Sequence, residues 1–328
     1  MNASSLKPIQ HHTPADILIV HTGALGDVIC ALTAIECYFS EMMLDVCCQG
    51  HIAPLLNMVP NIRNVFDNNN PMITSIFLRE IQPAHKNWLM TYAYIILVSF
   101  SKDWESSFRR YNLNIVRIPP RPPIGETVHT SQFILNALKC KNVITRNNSE
   151  LQDFILQKKT SSYTKLRDSQ WKSVCIHPGS GSSFKNWPIE RYVTLSKRLF
   201  QNGHSVGWIL GPAEKNLMKV LIQNHVNKKN IIQTNHIQTI MHYIKLSDHF
   251  VGNDSGISHL AAYIGADTTV IFGPSDVRRW RPIGNCVKTI PDKIPVCSPC
   301  FEKGNRQCVQ KKCLNDISVS QVLKKIEN

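Results

Sequence analysis

Asp16-Ile-Leu-Ile-Val20, then His21-Thr-Gly-Ala-Leu-Gly-Asp27, then a helix-suited run over residues 28–39, is the stretch that decides the fold class. A short aliphatic run, a glycine-containing turn and a longer helical run read as the strand–turn–helix opening of an α/β unit. The same grammar restarts in the second half of the chain. Ser173–His177 (SVCIH) reads as a strand and residues 178–183 (PGSGSS) as a loop of small residues. Residues 188–201 read as a helix with Pro188 near its first turn, where a missing N–H costs little. Ser205–Leu210 and residues 268–272 are further strands, each closed by Gly-Pro, and residues 250–252 lead into Asn253-Asp254-Ser255-Gly256 and a helix over 257–264.

In the first half, Leu44–Cys48 and residues 73–77, 95–100 and 114–118 are the other strand candidates, and 127–138 reads as a helix. Strands alternating with helices twice over imply two parallel-sheet domains, expected as Rossmann-like lobes facing a cleft. The expected division is a flexible tail over 1–14, a first domain over 15–165 and a second over 166–328. The boundary is placed in the polar stretch 147–170, and a proline-rich break, PPRPP, occupies 119–123.

The chain of 328 residues is 43% hydrophobic and 18% charged, which argues against wholesale disorder. Its 37 Lys+Arg against 23 Asp+Glu give a formal charge of +14, which favours anionic partners: nucleic acid, an acidic membrane surface or a phosphorylated substrate. The basic residues form only pairs, such as Arg109-Arg110 and Lys311-Lys312. No helix-turn-helix, RRM or zinc-finger pattern supports a nucleic-acid partner. Residues 1–14 are polar, unlike a signal peptide, and the most apolar stretch, 88–100, falls short of the ~20 residues a membrane span needs. Eleven cysteines without a secretory signal point to a reducing cytosol, with most thiols packed as small hydrophobes.

Three loops stand at the carboxyl ends of expected strands, where open α/β sheets bind ligands. The first carries Gly23, Gly26 and Asp27. Its glycine spacing is not the dinucleotide fingerprint, and no acid follows the second strand, which argues against a nicotinamide oxidoreductase. Taken alone, this loop is equally a tight packing turn with Asp27 capping its helix. The second loop runs from His177 through Ser180 and Ser182 to Lys185. Small residues admit a ligand to the backbone, and a helix N-terminus with a lysine suits a diphosphate. Trp187 there is expected to pack. The third loop holds Asp254, Ser255, Gly256 and His259: Asp254 either orients a sugar hydroxyl or caps the helix, and His259 is a candidate phosphate donor.

Four ordered segments resemble the successive blocks of glycosyltransferase family 9, which contains the ADP-heptose:lipopolysaccharide heptosyltransferases. They are ILIVHTGALGDVICALTAI (17–35), IHPGSGSSFKNWPIERYVTL (176–195), WILGPAEKN (208–216) and VGNDSGISHLAAYIGADTTVIFGPSD (251–276). The resemblance implies a GT-B fold, an N-terminal acceptor lobe, a C-terminal nucleotide-sugar lobe and an inverting transfer of heptose to lipopolysaccharide inner core. It places Asp27 as the general base, since an alcohol is a poor nucleophile until its proton has somewhere to go. It places Lys185, with Ser180 and Ser182, against the departing diphosphate. Glu214, Asp254, Ser255, Gly256 and His259 fall on donor-contacting positions, and Gly23 and Gly26 on the acceptor-side loop.

The resemblance implies no required cofactor, with Mg2+ at most a counter-ion to the diphosphate, and ADP-heptose as donor. It also implies peripheral contact with the anionic cytosolic face of a bacterial inner membrane and no nucleic-acid partner. Another nucleotide sugar, or a scaffold that binds one without turning it over, remains open. The family turn before Gly26-Asp27 is often serine-rich, whereas this chain has Thr22-Gly23-Ala24-Leu25. Residues 60–121 carry no transferable motif, although Arg63, Arg79, Arg109, Arg110 and Arg117 are available there for acidic groups. Cys297-x2-Cys300-x7-Cys308-x4-Cys313 is open to zinc, free thiols or a redox-dependent disulfide. Residues 318–326 read as a terminal helix, which in GT-B enzymes commonly packs across the other lobe.

Overall fold

A computed structural model of the chain describes residues 16–78, 80–111, 113–141, 143, 150–159, 173–293, 295, 297–304 and 308–327. Two compact units emerge: Met1–Arg121 with Ser131–Ser149, and Pro122–Thr130 with Glu150–Asn328. The expected tail over 1–14 and the expected boundary at 165/166 lie outside the described residues.

The first unit is built on β1 (Asp16–Val20), β2 (Leu44–Cys48), β3 (Ile62–Asp67), β4 (Tyr92–Val98) and β5 (Ile115–Ile118). They form one sheet in the order β3-β2-β1-β4-β5, with every pairing parallel. A parallel sheet is covered on both faces, which explains why β1 and much of β4 read as unbroken aliphatic runs. Ile17, Leu18, Ile19 and Val20 are all buried. Each such side chain contributes about 1.5–3 kcal/mol on burial.

One expected strand needed correction, and three strands, at Ile62–Asp67, Ile231–Gln233 and Val287–Ile290, were not expected. Residues 73–77 are not a strand but a helix, Pro71–Thr74, and a 3-10 turn, Ser75–Phe77. Asn70 caps that helix by accepting from Met72 N at 2.9 Å, and Pro71 occupies its first position. Cap and proline outweigh the apolar residues, and Ile73 and Ile76 are buried three residues apart on one face. The edge strand β3 was missed because Arg63 and Asn64 break its apolar pattern. Both side chains turn to the fully buried Asp45: Arg63 Nε and Nη2 each donate at 3.0 Å, Asn64 Nδ2 at 3.1 Å and Tyr92 Oη at 2.7 Å. A buried carboxylate is tolerated because its lone pairs are met this fully.

The second unit carries β6 (Ser173–His177), β7 (Ser205–Leu210), β8 (Ile231–Gln233), β9 (His249–Asn253), β10 (Asp267–Ile271) and β11 (Val287–Ile290). Their order is β11-β10-β9-β6-β7-β8, again all parallel. Trp187, Tyr192, Trp208 and Leu210 form the centre of its core. The terminal helix, Val319–Glu327, packs on the helix Ile189–Gln201 of its own unit, with Val322 buried and Arg198 Nη1 donating to Ser320 Oγ at 2.9 Å. The connection 122–130 is strapped to this unit by the buried Arg279. Its guanidinium donates to Pro122 O at 2.8 Å and Pro123 O at 3.1 Å.

Candidate functional site

In the first unit, β1 hands the chain to the helix Leu25–Tyr38 through Thr22, Gly23 and Ala24. Asp27 stands in that helix's first turn, where a negative charge meets the positive end of the helix dipole. Ala24 offers no side-chain cap. The loop is held instead by two residues that sequence reasoning overlooked. His21 Nδ1 accepts from Gly23 N at 3.0 Å, and Gln49 Nε2 donates to Thr22 O at 2.9 Å and Gly23 O at 3.2 Å. Burial pushes the His21 imidazole down to about 4, so the ring is neutral and its proton lies on Nε2. A polar residue directly after a strand, as Gln49 is after β2, was the available signal.

In the second unit, the loop after β6 does not open directly into a long helix as expected. A 3-10 turn, Ser183–Lys185, intervenes before the helix Ile189–Gln201. The loop is internally bonded: Ser180 Oγ lies 2.6 Å from both Ser182 O and Asn186 Oδ1, and Ser182 Oγ accepts from Phe184 N at 3.4 Å. Both serines thus shape the loop. Trp187 is buried and packs, as expected, with Nε1 donating to Ile317 O at 3.1 Å.

After β9, Ser255 Oγ accepts from Ser258 N at 3.3 Å and caps the helix Gly256–Tyr263, so Ser255 rather than Asp254 is the capping residue. Asp254 Oδ2 lies 3.0 Å from Lys185 Nζ, joining the second and third loops. His259 is buried one turn in, and burial pushes its imidazole down to about 4, partly opposed by Asp254. It is therefore a neutral ring, able to donate one hydrogen bond but not to act as a cation.

The two loops are joined further by Asn253, which is fully buried. Its Nδ2 donates to Pro178 O at 2.7 Å and Gly179 O at 3.3 Å, while Oδ1 accepts from Trp187 N at 2.9 Å and Tyr192 Oη at 3.0 Å. One carboxamide fills all four of its hydrogen-bonding positions across both loops. Glu214 follows β7 and accepts from Gly211 N at 2.8 Å through Oε2. A Cβ on Gly179 would lie 1.9 Å from Glu214 Oε1, so only glycine admits this carboxylate. Burial raises the Glu214 carboxyl and pushes nearby His177 down to about 4.

The cysteine-bearing segment folds against the same loop. Phe301 stacks with Phe184 at 6.4 Å between centroids, Lys185 Nζ is 5.4 Å from the Phe301 ring, and Lys311 Nζ is 5.4 Å from the Phe184 ring. None of the eleven cysteines is joined in a disulfide. Burial, then Cys297, Cys300 and Cys308, push the Cys313 thiol up to about 11. Among the described residues, no group of three or more His, Cys, Asp or Glu side chains is placed to hold a metal ion.

The arginines of 60–121 divide sharply. Arg63 is committed to Asp45. Arg109 and Arg117 pair with Glu105, and Arg110 Nη1 donates to Leu78 O at 3.5 Å. Arg79 lies outside the described residues. Arg121, which sequence reasoning passed over, has as its one recorded partner among the described residues the half-exposed Phe100 ring, 5.3 Å away.

Two all-parallel α/β units with ligand-type loops at their carboxyl-end rims define a fold of the GT-B class. The sequence profile of glycosyltransferase family 9 (heptosyltransferase) matches residues 99–311, and the chain belongs to that family. It is 27% identical over 164 residues to lipooligosaccharide heptosyltransferase 2 of Campylobacter jejuni, a match covering 48% of this chain and 50% of that protein. The chain thus spans about half the length of the curated relatives it matches. In three dimensions it is similar to Escherichia coli ADP-heptose lipopolysaccharide heptosyltransferase II, with a TM-score of 0.66 at 14% identity over 95% of this chain and 97% of that one. It is likewise similar to E. coli heptosyltransferase WaaC with ADP, with a TM-score of 0.64 at 16% identity over 95% and 99% of the two chains. Among the described residues, no helix is long and apolar enough to cross a membrane.

Proposed function

We propose that the protein transfers heptose from ADP-heptose to a sugar of the lipopolysaccharide inner core, with inversion at the anomeric carbon. The observation that carries this reading is the joining of the 177–185 and 253–259 loops by Asn253 and by the Lys185–Asp254 pair. Together they offer an ammonium, a carboxylate and a capped helix start at one rim. That set suits a sugar diphosphate: Lys185 and backbone N–H groups for the phosphates, Asp254 for a sugar hydroxyl. The names of the similar proteins, which include ADP and ADP-heptose, support the same donor.

In this scheme Asp27 accepts the proton of the acceptor hydroxyl as its oxygen bonds to the anomeric carbon. The bond from that carbon to the diphosphate oxygen breaks, and ADP departs with its growing charge met by Lys185. The neutral His259 donates a hydrogen bond. Glu214, with Ser180 and Ser182 keeping the loop in shape, serves the nucleotide side. No metal is needed, and Mg2+ enters at most as a counter-ion. Phe100 follows β4, the neighbour of β1, and Arg121 follows the edge strand β5; together they suit an acidic acceptor sugar. The enzyme works in the cytoplasm, against the anionic inner face of the inner membrane.

Calorimetric titration with ADP, GDP, UDP and ADP-heptose, followed by transfer to Kdo-lipid A, tests the reading. Selective binding of ADP and ADP-heptose with heptose transfer is the expected result. Asp27→Asn should then abolish most turnover and leave ADP affinity intact. Binding of another nucleoside diphosphate, or binding without transfer to any acceptor, overturns it.

A further inference from the structure

We infer that Gln49 and His21 are positioning residues for Asp27, gripping the Gly23 peptide groups from both sides so that the first helical turn presents its carboxylate in one place. The inference rests on the reading of Asp27 as the base. A helix start is normally set by a side-chain cap, and this one has none at Ala24. The substitutes come from elsewhere in the fold. Gln49 reaches in from the end of β2, the neighbour of β1, with its amide nitrogen 2.9 Å from Thr22 O and 3.2 Å from Gly23 O. His21 folds its ring back over the loop, and Nδ1 takes the Gly23 N–H at 3.0 Å. Gly23 therefore has both its N–H and its C=O held.

The packing is as specific as the hydrogen bonding. A Cβ on Gly23 would lie 2.5 Å from His21 Cε1 and 3.2 Å from Asp27 Cβ. Glycine, ring and base thus meet at one point, and a shift of the ring or loop is transmitted to Asp27. The chemistry of the two clamps also suits a base. Gln49 carries no charge, and the buried His21 is neutral in the working range. A cation in either place would stabilise the ionised carboxylate and weaken it as a proton acceptor. Displacing a reacting group by about 1 Å costs up to ~100-fold in rate, so a clamp of this kind acts on turnover before it acts on binding.

The test uses four variants of the full chain: Gln49→Glu, His21→Leu, His21→Asn and Asp27→Asn. Transfer from ADP-heptose to Kdo-lipid A and ADP affinity by calorimetry are measured for each, with Gly23 amide exchange by NMR as a readout independent of activity. Gln49→Glu keeps the shape but replaces the donor with an acceptor-only carboxylate. His21→Leu removes the acceptor, whereas an asparagine side chain can accept from the N–H two residues on and replace it. Gln49→Glu and His21→Leu should each lower kcat by about 10- to 100-fold while ADP affinity stays within about two-fold. His21→Asn should keep most turnover, and the Gly23 amide should exchange slowly in it and fast in His21→Leu. Wild-type kcat in both disruptive variants overturns the inference. So does a joint loss of kcat and ADP affinity, or a His21→Asn variant as impaired as His21→Leu. If Asp27→Asn retains turnover, the base assignment itself falls, and Gly23 exchange still decides whether the clamp exists.

Discussion

Lys185 and Asp254, 69 residues apart in the chain, meet at 3.0 Å, with 16% and 7% of their side chains exposed. The pair holds the ammonium at the rim and gives Asp254 a partner for its charge. In the proposed reading an incoming diphosphate competes with Asp254 for Lys185, and the two residues should have opposite effects on anion binding.

Lys185→Ala should weaken ADP binding by about 10- to 100-fold, the range of a lost charge-assisted hydrogen bond. Asp254→Asn frees the ammonium, so ADP should bind as tightly as in the wild type or more tightly while heptose transfer falls. Calorimetry and turnover measured on the same preparations separate the two effects. ADP affinity falling in both variants would rule out this competition.

Asn253→Ala should destabilise the second unit by about 3–5 kcal/mol. It strips partners from buried Trp187 N, Tyr192 Oη and the carbonyls of Pro178 and Gly179. The urea midpoint reports the loss. Asn253→Asp should also be damaging, because a carboxylate cannot donate to those carbonyls.

Acid should destabilise the protein well above the carboxylate range. His21, His177 and His259 are held at about 4 and His249 at about 3, each chiefly by burial. The unfolded chain takes up their protons near 6.5 and the folded chain does not. Their stabilisation is therefore full above that value and lost as pH falls toward 4. Between about pH 7.5 and about pH 5.5 each histidine should cost the fold about 1 kcal/mol, read as a falling urea midpoint. Glu214, raised by burial, acts in the other direction and offsets part of the loss. A flat midpoint across that interval would show that these rings are hydrated in solution.

Arg121→Ala should raise the KM for an acidic acceptor by about ten-fold and leave ADP affinity unchanged, since among the described residues the guanidinium rests on the Phe100 ring alone. Arg63→Ala should leave acceptor KM unchanged and lower stability, because Asp45 would be buried without its cation. Steady-state kinetics and thermal melting of both variants check the contrast.

The fold was legible wherever one strand and one turn carry their own signal. The aliphatic β1, the Ser173–His177 strand and the Gly-Pro stops after β7 and β10 all read correctly, because burial on both faces leaves a continuous apolar run. The helix Pro71–Thr74 misled because its apolar residues suit a strand, and its cap and proline went unweighed. Of the candidate site, the residues that bear charge were readable and those that hold them were not. Asn253 and Gln49 draw their importance from partners 75 and 27 residues away. No local pattern encodes such contacts. Arg63 shows the converse: a free-looking cation in the sequence, it is bound to a carboxylate 18 residues earlier.

The strap formed by Arg279 has a consequence for how the protein comes off the ribosome. Pro122 O and the guanidinium that donates to it are separated by 157 residues of chain. Residues 122–130 are thus made early, while the first unit is being completed around them, and remain without their arginine until the strand β10 has been translated. Synthesis from one end leaves the second unit's oldest piece waiting longest, and a single cut cannot divide the chain into two halves that each contain all of their own fold.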